Sequence, residues 1–315
     1  MIFDLRYPIF QAPTGSVAGP ELCSAVTQAG GMGAMGLTWA SSDDAVAAVR
    51  AVRDATSGLF QANFALAFEP ESLSAVLDAG LPVVTFSWGD PTPYVSTVRR
   101  SAAKFGVQVT NGLGARRAVD LGADFLVCQG VEAGGHVQAN RSLWDILAGV
   151  VDAAGNVPVV AAGGIADGGG IARALATGAS GAMLGTRFVA TVESRAHPEY
   201  KARLLESEGQ TALTLCFDGG WKQSAQRVLR NSTLETWESC GSPAAGSRPG
   251  EGETIGFSAS GEAILRYEEV APRIGFSGDI EAMCLYAGAG VGVIRDLPTA
   301  AEAIERLWRE AQTQE

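Results

Sequence analysis

Short apolar runs alternate with amphipathic segments along the first two-thirds of the chain. The runs at residues 8–14, 33–36, 59–66, 82–88, 106–110, 125–129, 157–163 and 181–188 are near-continuously apolar. That is the pattern of parallel strands buried on both faces. The segments between them, 19–29, 42–54, 69–78, 93–104, 113–121, 142–152 and 169–176, read as helices. Most begin near Pro, Ser or Asp and stop at a glycine such as Gly30, Gly122 or Gly155, the start and stop chemistry of helices.

Eight βα units in a row predict an α/β fold of the (β/α)8 TIM-barrel class. An open doubly wound sheet has fewer strands and a G-x-G-x-x-G turn after the first; here the first strand runs into QAPTGSVAGP. One barrel of roughly 250 residues plus an insertion accounts for 315 residues. After the eighth strand the pattern changes. Residues 213–261 carry Trp221, Trp237 and the stretch GSPAAGSRPGEGE. The expectation is a barrel built from 1–212 and 262–315, with 213–261 an inserted smaller subdomain on the substrate side of the mouth. Its glycine-rich stretch, 241–253, reads as a flexible loop. The last segment, 298–312, reads as an amphipathic helix that completes the outer ring.

Composition narrows the partners. The net charge is −11 and only Lys104, Lys201 and Lys222 are lysines, which argues against nucleic acid or an anionic membrane surface. A ligand phosphate must then be held by backbone N–H groups and one or two cations. The five cysteines form no C-x-x-C pair and read as buried thiols of a reducing compartment. The opening MIFDLRYPIF lacks a signal-peptide pattern and no apolar run approaches a membrane span, so the expected location is cytoplasmic.

In a barrel of this kind the chemistry sits at the C-terminal ends of the strands, and phosphate is often held after strands seven and eight. Strand seven ends in Gly163 and Gly164, followed by Asp167, which can cap the next helix. Strand eight ends in Gly185 and Thr186. Together these loops and a helix N-terminus suit a phosphate monoester without a lysine cluster. Strand six ends FLVCQGVEAGGHVQ, which places Gln129 at a strand tip and clears space at Gly134 and Gly135. His136 then lies in a loop over the mouth, and of the two histidines it is the functional candidate; His197 reads as structural. Ala12, Pro13 and Thr14 end strand one, and Asn63, if it points up the barrel, can bond a polar ligand edge. Trp39 and Trp88 either wall an apolar pocket or pack under loops. Glu132 is an acid or base candidate, although a carboxylate in a glycine-rich loop is usually solvated or capping, and Cys128 packs as a small hydrophobe. No zinc, nucleophilic-serine or Walker motif occurs, so the hard chemistry should belong to a cofactor.

The segments PIFQAPTGSVAGPELCSAVTQAGGMGAMG, VCQGVEAGGH and PVVAAGGIADGGGIARALATGASGAMLGTRFVATVES resemble the nitronate monooxygenases, and the likeness resumes at LYAGAGVGVIRDLPTAAEAI. The resemblance implies FMN at the mouth, with Ala12, Pro13 and Thr14 beside its ring and Asn63 and Gln129 at its polar edge. Gly134, Gly163, Gly164, Gly185 and Thr186 would serve the phosphate end. It implies that His136 removes the proton α to a nitro group or holds the nitronate, that the partners are a small-molecule substrate and dioxygen, and that no metal is needed; a homodimer is compatible with it. Relatives on the same barrel point to an alternative, an NAD(P)H-dependent FMN reductase of quinones or enoyl-thioesters. A barrel that binds without turnover is a further one. The chain departs from the family pattern at Thr14 (Met), Gly169 (Arg) and Val137–Gln138 (a basic residue and glycine).

Overall fold

In the computed structural model, which describes residues 2–313, eight parallel strands form one sheet. They are β1 (Ile9–Gln11), β2 (Gly33–Gly36), β3 (Phe60–Ala65), β4 (Val83–Ser87), β5 (Lys104–Val109), β6 (Phe125–Gln129), β7 (Val159–Ala162) and β8 (Gly181–Leu184). Each pairs with its sequence neighbour, and β8 pairs with β1. The remaining seam, β1 to β2, is closed by a parallel bridge between Phe10 and Met32. There Gln11 N–H donates to Met32 O at 2.9 Å and Met32 N–H to Ile9 O at 3.0 Å. One step on, the buried Gln11 side chain continues the ladder: Ala34 N–H donates to its Oε1 at 2.8 Å, and its Nε2 donates to Ala34 O at 2.9 Å. The result is the expected TIM barrel, with a side-chain amide standing in for a missing strand residue.

Alternate residues face in and out. Phe10, Met32, Val83, Phe125, Val127, Val160 and Met183 fill the interior. Ile9, Phe60, Phe64, Phe86, Leu126 and Cys128 pack outward under the helices. Those helices are α1 (Pro20–Ala29), α2 (Ser42–Ala55), α3 (Leu73–Asp78), α4 (Thr92–Arg100), α5 (Gly112–Asp120), α6 (Leu143–Ala154), α7 (Gly168–Ala176) and α8 (Ala300–Gln312). Thr299 and Glu302 cap α8 reciprocally, and its buried face of Ala303, Ile304, Leu307 and Ala311 packs against α7 and α1 to close the ring.

The first strand stops at Gln11, so Ala12, Pro13 and Thr14 form the loop that follows it, and three other element ends differ from expectation by four residues. Strand eight stops at Leu184, and Thr186–Val189 forms a helical turn. Phe188 and Val189 are buried there, and a short buried run does not reveal its own period. The fourth helix ends at Arg100, where Ser101 folds back onto Val98 O through both its N–H and its hydroxyl, so Lys104 opens β5 instead. The third begins at Leu73, four residues later than the pattern suggested.

Two small antiparallel sheets lie outside the barrel sheet. One joins Thr211–Thr214, Gln226–Leu229 and Gly135–His136; the other joins Thr254–Phe257, Ala263–Leu265 and Ser277–Gly278. The glycine-rich stretch at 241–253 runs between them through turns held at three points. Arg248 pairs with Asp218 at 2.6 Å and donates to Cys216 O, Trp237 Nε1 donates to Pro243 O, and the Tyr267 hydroxyl donates to Pro249 O.

The seam carries the first prediction. Gln11→Leu strands the Ala34 N–H and C=O in an apolar wall, and each unpaired group costs about 1–3 kcal/mol. Urea unfolding should show a loss of about 2–4 kcal/mol; an unchanged midpoint would mean that the seam does not depend on this amide.

Candidate active site

The loop after β6 is where the site is built. Gly135, at φ +72, turns the chain so that Gly135–His136 becomes a two-residue strand instead of the free loop expected. It pairs antiparallel with Gln226 and Arg227, and Val137 N–H extends the pairing to Ala225 O at 2.8 Å. Arg227 adds two bonds from its guanidinium to Val131 O, at 2.8 and 3.1 Å. The Gln226–Leu229 strand is itself tied to the chain at 285–287 by Leu229 N–H to Leu285 O and Ala287 N–H to Arg227 O. Three distant segments therefore fix one histidine.

His136 is half-buried, its side chain 17% exposed. Its Nε2 lies 3.1 Å from Oε2 of Glu269, whose side chain is equally sheltered. A carboxylate can only accept, so Nε2 carries a proton, and in the neutral ring the lone pair is at Nδ1. Gln226 Nε2 is 3.2 Å from the same nitrogen, but a second donor cannot bond a protonated Nε2, and the amide donates to Phe217 O at 2.6 Å. The imidazole stacks on Trp221 with centroids 4.6 Å apart, and Trp88 and Tyr286 stand beside it. Tyr286 donates to Glu269 O at 2.5 Å, and burial pushes its hydroxyl well above the usual phenol range, so it stays a neutral donor. Burial also pushes the Cys128 thiol up to about 12, which leaves it the inert packing residue expected.

The other sequence candidates converge on this mouth. A Cβ on Gly185 would meet Thr14 and Ala12 at 3.4 and 3.5 Å, so the tips of β1 and β8 touch. Gly163 (φ +134) lies against Gly130, and Gly164 (φ +67) against Glu132, both in the β6 loop. Gly134 packs on Gly288, whose N–H donates to Thr186 Oγ1 at 2.9 Å. Pro13 follows in the same β1 tip, where Gly15 N–H donates to its carbonyl. The hydroxyl Oγ1 of Thr14 is buried here without a hydrogen-bond partner, as is the whole amide of Gln61 inside the barrel below.

Two amides are busier than the sequence suggested. Gln129 Nε2 donates to His136 O at 3.2 Å and its Oε1 accepts from Gln138 N–H at 2.8 Å, so it braces the histidine loop. Asn63 does point into the barrel, where its Nδ2 reaches Thr85 O and its Oδ1 accepts from Ser87. The N-terminus of α7 is also occupied: Asp167 caps Gly170 N–H and Glu310 accepts from Gly168 N–H. At the tips of β7 and β8 this leaves the Gly163–Gly164 and Gly185–Thr186 pair of turns, without that helix end. Glu132 caps α6 through Leu143 N–H, and His197 caps the helix Pro198–Glu206. Sequence reasoning missed Glu269, Gln226, Trp221 and the 286–290 turn. Glu269 is 133 residues from His136 and sits in no motif.

Comparison with known proteins establishes the family. The family model described as nitronate monooxygenase matches residues 1–74 and 68–310. The chain belongs to the nitronate monooxygenase family. Members are flavin-dependent oxidoreductases, and the family's named reaction is the oxidation of nitronates. A nitronate monooxygenase of Paraburkholderia phytofirmans is 28% identical over 98% of this chain and 93% of its own length. A (3aS,4S,5R,7aS)-5-hydroxy-7a-methyl-1-oxo-octahydro-1H-indene-4-carboxyl-CoA dehydrogenase of Mycobacterium tuberculosis is 29% identical over 99% and 95%. The solved structure of FabK from Thermotoga maritima superposes with a TM-score of 0.83 at 28% identity, covering 99% of this chain and 95% of that one. No helix among the described residues is long and apolar enough to cross a membrane.

Proposed function

We propose that this family member is FMN-dependent and oxidises alkyl nitronates with dioxygen to a carbonyl compound and nitrite. The observation that carries the reading is the meeting of an oriented His136 with the turns at the tips of β1, β7 and β8 in one mouth. The residues fit a flavin mononucleotide. An orphaned Thr14 hydroxyl lies in the β1 tip that packs against Gly185, and the strand beside β8 ends in the left-handed turn at Gly163–Gly164. Ala12, Pro13 and Thr14 would border its ring, Asn63 and Gln129 its polar edge through their remaining hydrogens and lone pairs, and Gly134, Gly163, Gly164, Gly185 and Thr186 its phosphate end. The bound flavin supplies the electron acceptor that no side chain here provides.

The chain's own residues do the rest. Glu269 holds the imidazole through Nε2, so Nδ1 is the atom that takes an α-proton or, once protonated, bonds a nitronate oxygen. The ion pair formed with Glu269 stabilises that imidazolium in a sheltered site. Trp88 and Trp221 keep water from the imidazole face. On this reading residues 213–261, which contribute Trp221 and Gln226, are the substrate-side subdomain.

Heat-released cofactor should co-elute with FMN, and NADH or NADPH should leave the bound flavin oxidised under argon while nitronates are consumed in air. FAD would break the reading. Rapid bleaching by a nicotinamide would favour the reductase alternative, to which the likeness to FabK and the indene-carboxyl-CoA dehydrogenase lends its weight.

His136→Ala should retain FMN and lose about 10²–10⁴-fold in turnover, with neutral nitroalkanes hurt more than preformed nitronates. Glu269→Gln, which keeps the geometry and removes the charge, should lose about 10–100-fold, the scale of partners that orient a reacting ligand. His197→Ala should leave turnover near the native value. Equal losses at both histidines would remove His136 from the chemistry.

A further inference from the structure

Four aromatic rings from four separate segments meet over His136. Trp39 follows β2, Phe68 follows β3, Trp88 follows β4, and Trp221 comes from the turn before the Gln226–Leu229 strand. The Trp221 indole is the hub. Its centroid lies 4.6 Å from Trp88, 5.1 Å from Phe68 and 6.3 Å from Trp39, all at steep angles. Its face lies on the His136 imidazole, 4.6 Å away and tilted by only 29°. A flat, bicyclic ring is thus held edge-to-face by three others and laid flat on the candidate reacting group.

Two independent observations separate this cluster from core packing. Trp39 is 58% exposed, so it shields little of itself by joining the group. Trp88 adopts φ +58, a left-handed backbone that strains a bulky residue and that glycine would adopt freely. The strained turn is deliberately held: Gln138 Oε1 accepts from Trp88 N–H at 3.3 Å and from Gln108 Nε2 at 2.9 Å. Strain that the surroundings over-determine marks functional positions.

We infer that Trp39, Phe68 and Trp88 form a ring subsite, and that the substrate class is a nitronate whose reacting carbon is attached to a flat aromatic or conjugated ring. The inference rests on the proposed role of His136 and adds the substrate's shape to it. The ring takes the place that the Trp221 indole holds here, and Trp221 moves aside as it enters. Edge-to-face contacts in such a box favour an aromatic ring over an alkyl chain by about tenfold.

Two experiments on the holoenzyme separate this claim from the reaction beneath it. The first compares kcat/KM for the nitronates of phenylnitromethane and 1-nitropropane. The native enzyme should prefer the aromatic one by about tenfold, Trp88→Gly should bring the ratio to within about twofold of unity, and the surface change Trp39→Ala should lower it by about two- to threefold. A native ratio near one, or a ratio untouched by both variants, overturns the subsite. The second uses equilibrium dialysis with free indole and needs no turnover. Trp221→Ala should bind indole at least about tenfold more tightly than the Trp221→Ala/Trp88→Gly double variant; equal binding by the two overturns the subsite. Should no nitronate be consumed while indole binds as expected, the ring subsite stands and the nitronate reading falls.

Discussion

The backbone pairing of Gly135–His136 with Gln226–Arg227 is the constraint on which the site depends. A histidine after two glycines would ordinarily sample many positions, because glycine gives the chain the most freedom of any residue. Here four residues of ladder, the extension through Val137 and the Arg227 bonds to Val131 remove that freedom. Gln129 adds a brace from below, accepting from Gln138 and donating to the His136 carbonyl. The glycines that let the loop bend tightly are thereby held in one conformation, and the imidazole is delivered to Glu269 in a single orientation. Preorganisation of this kind is what a proton-transfer group needs, since its contribution depends on position before proton affinity.

The same pairing explains why the outer sheets matter. The strand that receives His136 belongs to the chain beyond the barrel, and that strand is anchored in turn to the 285–287 segment, which leads on to Gly288 and its bond to Thr186. The histidine loop, the outer sheet and the cradle at the tip of β8 are consecutive links. Packing around them is dense: Tyr200, Leu285 and Val291 are fully buried beneath this layer. A displacement of the outer sheet would move His136 and the cradle together.

Much of this was legible in the residue pattern, for definite reasons. Strands buried on both faces announce themselves as continuous apolar runs, and all eight did. Glycine pairs at the tips of strands six and seven marked turns that the structure does place at the mouth. What escaped was long-range or ambiguous in period. Thr186 to Phe188 was read as the end of a strand, but it opens a helical turn in which Arg187 and Phe188 are buried. Glu269 carries no local signal, because its role comes only from a fold that returns it to a histidine far behind it in the chain. Gln129 and Asn63 could be placed at strand tips, yet sequence gave no way to see that neighbouring loops already use their amides. Trp88 was left between pocket wall and packing; its positive φ, invisible in sequence, tips the balance toward the mouth.

With only two histidines in the chain, one spectrum tests the claim that ligands meet His136 at Nδ1. A long-range proton–nitrogen-15 NMR spectrum of the holoenzyme should show His136 as the Nε2–H tautomer. Adding nitrate, a planar unreactive anion with the oxygen geometry of a nitronate, should shift the His136 nitrogens and leave those of His197 in place. A spectrum in which neither imidazole moves at saturating nitrate, or in which His136 carries its proton on Nδ1 alone, would contradict the account.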